Sequence, residues 1–174
     1  QWTQNLNHWT LAAGPDRNEI MPKENIYQCL EVLQKNRQLT KVDITGGAPE
    51  MIPDFRWLAD EISKLGRHMI VRCNLTIIKA NKKYYDLPQF YKQRNIEVVS
   101  SLPCYTKDGT DKQRGNGVFE DSVKVLHMIN DVGYGEEGSG LILNLVYNPG
   151  GASLPPPQQT VQKDDKEAVK KECG

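Results

Sequence analysis

Four short apolar stretches, each followed or preceded by a helical stripe, constrain this chain more than any other feature. After the helix start Pro22-Lys23-Glu24-Asn25, the residues Ile26, Cys29, Leu30 and Leu33 recur at helical spacing, and Lys41 to Ile44 reads as a strand. Phe55, Leu58, Ile62 and Leu65 form the next stripe, closed by Gly66, with a strand from His68 to Thr76 behind it. A short helix from Leu87 to Arg94 precedes a strand from Ile96 to Ser101. Val118, Val123, Leu126 and Ile129 outline the last helix, ended by Gly133, and Leu141 to Tyr147 is the fourth strand. Strict alternation predicts an α/β fold: a parallel sheet with right-handed crossovers and helices on one face. Units of roughly 25 to 45 residues suit half of a (β/α) barrel or a small open doubly wound sheet.

Composition narrows the partners. The 174 residues suffice for one domain with a core, and 38% of them are apolar. The formal net charge is zero, which supplies no electrostatic reason to expect nucleic acid or an anionic membrane. No window approaches the about 18 apolar residues of a membrane span, and no basic start with an apolar run marks a leader peptide. The chain starts at Gln1, as a fragment or processed form would. Cys29, Cys73, Cys104 and Cys173 lie far apart, without metal-ligand spacing, so a reducing cytoplasm is the expected compartment. Cys29, Phe55 and Trp57, on helical stripes, are expected in the core, and His68 and His127 are expected to be structural.

The strongest local signal is Thr45-Gly46-Gly47-Ala48-Pro49-Glu50, directly after Val42-Asp43-Ile44. Glycines at a strand's C-terminal end let a ligand approach the backbone, because no Cβ stands in the way. In α/β proteins that edge is where ligands bind. A carboxylate after such a turn suits a ligand ammonium better than a phosphate. The same hexapeptide also serves as an ordinary βα turn with a helix-start Pro and Glu.

Five segments in order carry a family resemblance: Asp43 to Glu50, Arg72-Cys73-Asn74-Leu75-Thr76, Ser101-Leu102-Pro103-Cys104-Tyr105, Asp111-Lys112-Gln113-Arg114-Gly115, and Asn144 to Pro149. Over most of residues 14–157 the chain resembles the arsenosugar-biosynthesis radical S-adenosylmethionine (SAM) proteins. The resemblance implies a partial (β/α) barrel with its first strand and C-terminal part missing. It divides the chain into a cluster-loop remnant (1–20), the barrel portion (21–150) and a Pro-rich, then charged, tail (151–174). It also implies SAM and a 4Fe–4S cluster as cofactors, and adenosylation of a methylated arsenic compound as the reaction.

The resemblance places the SAM pocket at Gly46, Gly47 and Glu50, with Asn74, Ser101 and Arg114 as further polar contacts. Asn74 and Ser101 equally suit helix caps, and Arg114 a solvated loop. Cys73 and Cys104 are candidate thiolate ligands for an arsenical, or small core side chains. The family's C-x3-C-x2-C cluster ligands fall here on Trp2, Leu6 and Trp9, none of which ligates iron. The cluster is therefore not expected on this chain, and no metal ligand is assigned. Three functions stay open: a radical SAM enzyme inactive as this chain stands, a pseudoenzyme keeping part of the SAM pocket, and a generic nucleotide-binding α/β module. The expected partner in each is a small molecule.

Overall fold

The computed structural model describes residues 20–101 and 117–146. The chain divides into two compact units, Gln1–Arg72 and Cys73–Gly174.

In the first unit, α1 (Lys23–Lys35) starts behind Pro22, a residue suited to a helix start because its missing N–H would find no partner there. Ile26, Leu30 and Leu33 are buried, at the i, i+4, i+7 spacing of one helical face. Cys29, expected in the core, is instead exposed. It lies at the margin of that face, where the stripe turns to solvent. The chain continues through β1 (Lys41–Ile44), a tight turn at Pro49–Met51, α2 (Phe55–Lys64) and β2 (His68–Cys73). On α2 the buried residues are Phe55, Ala59 and Ile62; Leu58 is half-buried. Trp57 is also half-buried and packs on Tyr27 of α1 with ring centroids 5.0 Å apart. The Lys23 ammonium stands 4.9 Å over the Trp57 ring and 3.3 Å from Asp54, fastening the start of α1 to the start of α2. Gly66 ends α2 with φ +65°, a conformation that glycine adopts without a Cβ penalty.

β1 and β2 run parallel, with Lys41, Val42, Asp43 and Ile44 opposite His68, Met69, Ile70 and Val71. Met69, Val71 and Cys73 alternate with the less buried His68, Ile70 and Arg72. The pleat thus gives β2 one covered face and one open face. The sequence pattern predicts a strand continuing to Thr76, but β2 stops at Cys73. The apolar run beyond it belongs to a short helix.

The second unit continues with that helix, α3 (Thr76–Ala80), a turn at Lys82–Tyr84, α4 (Leu87–Gln93), β3 (Glu97–Ser101), α5 (Val118–Asn130) and β4 (Leu143–Val146). Leu75 and Ile78 are buried three residues apart, which suits a helical turn and not a strand. On α5 the buried face is Phe119, Ser122, Val125, Leu126 and Ile129. Val118 and Val123, read from sequence as part of that face, are only half-buried. β3 and β4 are parallel, with Val98 to Ser101 opposite Leu143 to Val146. Buried Val98 and Ser100 alternate with half-buried Glu97 and Val99, repeating the one-sided pattern. Tyr134 lies fully buried behind α5 and donates a 2.6 Å hydrogen bond to the Ile96 carbonyl.

The α/β class and the parallel strand pairing expected from sequence are present, β1 with β2 and β3 with β4. Among the described residues, no helix is long and apolar enough to cross a membrane.

Candidate functional site

The turn after β1 forms because two glycines, then Pro49, leave the strand without adding side-chain bulk. Neither Gly46 nor Gly47 has a positive φ, so backbone conformation does not require glycine at either position. A Cβ built on either glycine would meet no described atom within 4 Å. The described chain therefore gives no reason, conformational or steric, for glycine at 46 and 47. Among the described residues, both glycines are exposed. Immediately beyond, Pro49 and Glu50 are buried in the tight turn, Glu50 with only 6% of its surface exposed.

On the open face of the same strand pair, Arg72 reaches diagonally to Asp43. Its Nε lies 3.1 and 3.2 Å from the two Asp43 carboxylate oxygens, and Nη2 lies 2.9 Å from Oδ2. The hydrogen bonds to Asp43 hold the guanidinium above its already high ordinary pKa. Sequence reading missed this pair. Each strand shows a charge between apolar residues, Asp43 between Val42 and Ile44 and Arg72 between Val71 and Cys73. Their meeting depends on the register, which no local pattern encodes.

The other predicted residues are placed as follows. Cys73 ends β2 with 2% exposure, and the Tyr91 hydroxyl points at its sulfur from 3.8 Å. Such an enclosed thiol has the surroundings of a core side chain. Asn74 is exposed, and its side-chain oxygen accepts a 3.0 Å bond from the Thr76 hydroxyl while its backbone carbonyl accepts from Ile77 N–H. Asn74 thereby organises the start of α3, one of the two roles open to it. Ser101 closes β3 opposite Val146. Arg114, Cys104, Trp2, Leu6 and Trp9 lie outside the described residues. Of the predicted set, the structure brings Gly46, Gly47 and Glu50 into one turn.

Trp, Leu and Trp at the three cluster positions offer no thiolate, so this donor set does not fit a 4Fe–4S cluster. Among the described residues, no group of three His, Cys, Asp or Glu side chains is placed to hold a metal ion. Neither the known protein-family models nor the curated proteins include a match to this sequence.

Proposed function

We propose that this chain binds SAM at the Gly46–Gly47 turn and does not cleave it. In this reading the strands are an arc of a radical SAM-type barrel, and the protein is a cytoplasmic pseudoenzyme that keeps part of the cofactor pocket. The supporting observation is the glycine pair. Two consecutive glycines stand at the C-terminal end of a parallel strand, without positive φ and, among the described residues, with no atom against their Cβ side. Backbone groups of the turn receive the methionine moiety, and the negative charge of buried Glu50 beneath them favours its ammonium. The same carboxylate speaks against a phosphate ligand, which sets this reading above a general nucleotide module.

Affinity is modest without iron chelation. Losing a chelate that contributes several kcal/mol leaves a dissociation constant in roughly the high micromolar to millimolar range. Titration calorimetry with SAM tests the reading. Gly47→Val, which puts a branched side chain where the ligand lies, is expected to abolish binding, and Glu50→Ala to weaken it. ATP serves as the control, and ATP bound as tightly as SAM would favour the nucleotide module. If neither variant weakens a measurable interaction with SAM, the glycine turn is only a turn.

A further inference from the structure

We infer that Arg72, buttressed by Asp43, is a carboxylate anchor that makes the site selective for ligands retaining their α-carboxylate. The inference rests on the SAM reading and adds to it a specificity-determining residue.

An arginine has two hydrogen-bonding edges, the side-on Nε/Nη2 edge and the end-on Nη1/Nη2 edge. Asp43 takes the side-on edge with three contacts of 2.9 to 3.2 Å. Among the described residues Nη1 makes no hydrogen bond, so the end-on edge keeps its donors for a second carboxylate. The guanidinium also stays reachable, because the Arg72 side chain retains 51% exposure and that of Asp43 40%. Both lie on the face of β1 and β2 that buries no side chain, away from Met69 and Val71.

Position ties this edge to the glycine turn. Ile44 is registered opposite Val71. One step further along the parallel pair sets Arg72 beside Thr45, one residue before Gly46. An α-amino acid whose ammonium lies over the turn has its carboxylate one carbon away, within the compass of a long side chain at that position. Asp43 fixes the guanidinium plane in advance, so less side-chain freedom is lost when a ligand arrives. Where a cluster would chelate both amino and carboxylate groups, this pair holds the carboxylate without iron.

A lone surface ion pair would stabilise the sheet a little and do nothing more. The two roles separate on ligands that differ only in the carboxylate. The test is calorimetric titration of the full chain, and of its Arg72→Gln and Asp43→Asn variants, with SAM and with decarboxylated SAM. A charge-assisted bidentate contact, part-exposed, is expected to give the unaltered chain a preference for SAM of roughly tenfold. Arg72→Gln is expected to erase that preference while leaving affinity for the decarboxylated ligand unchanged. Asp43→Asn, which loosens the anchor's placement, is expected to narrow the preference. Discrimination that survives Arg72→Gln, or its absence in the unaltered chain, overturns the anchor and leaves the SAM reading standing. If the unaltered chain binds neither ligand, the SAM reading fails and the anchor falls with it.

Discussion

The ends of β1 and β2 face opposite demands although the strands are neighbours in sequence and pair in parallel. After β1 the chain makes an open turn: two glycines, no described atom where a Cβ would sit, and a buried Pro49 and Glu50 beneath. After β2 the chain closes on itself. Cys73, Leu75 and Ile78 are buried, Tyr91 is fully enclosed against the Cys73 sulfur, and the Thr76 hydroxyl donates to the Asn74 side-chain oxygen. Polar and sulfur-bearing residues look alike as candidates when read from sequence, yet the first strand end leads into two exposed glycines and the second sets exposed Asn74 between buried Cys73 and Leu75. What distinguishes them is burial.

If that contrast is sound, substitutions should cost stability at the closed end and almost none at the open end. The largest effect is expected for Tyr91→Ala. Removing a fully buried aromatic ring should cost about 3–5 kcal/mol, read from the midpoint of urea unfolding. A cost within 1 kcal/mol would show that the second unit's core is not packed around this ring.

Tyr134→Phe comes next, at about 1–2 kcal/mol, because the Ile96 carbonyl loses its 2.6 Å donor inside the core. This site also predicts a pH dependence. Burial raises the Tyr134 phenol above its ordinary value of 10.0. Its stabilisation is therefore complete below the unfolded value near 10 and is lost as pH rises through the higher folded value. Alkaline titration followed at 295 nm should show Tyr134 ionising later than an exposed tyrosine. Tyr134→Phe should reduce the late absorbance change by one tyrosine.

The smallest stability effect is expected for Gly47→Val, within about 0.5 kcal/mol, since neither φ nor any described neighbour opposes the side chain. A large loss of stability there would break the contrast, since it would mean the glycine serves the fold.

Much of the fold was legible from periodicity. β1 matches its apolar alternation at both ends, and α2 and α4 fall within a residue or two of their stripes. The misreadings have physical causes. Leu75-Thr76-Ile77-Ile78 is rich in β-branched residues and imitates a strand, but buried contacts at Leu75 and Ile78 decide for a helix. On α5, Phe119 and Ser122 define the buried face, and a small buried serine has no apolar signature to find. Cys29 shows that the margin of a stripe cannot be told from its centre by spacing alone. At the site, the glycine turn was visible as a motif, whereas the openness above it and the Arg72–Asp43 pair depend on register and packing.

The most direct test of the central claim is a titration of the nitrogen-15-labelled chain with SAM, followed by the amide resonances. The account predicts that the largest shifts cluster at Gly46, Gly47 and the neighbouring Thr45 and Ala48, and that Gly47→Val eliminates them without disturbing the remaining spectrum. Shifts confined to residues of the second unit, or no shifts at all at millimolar SAM, would contradict it.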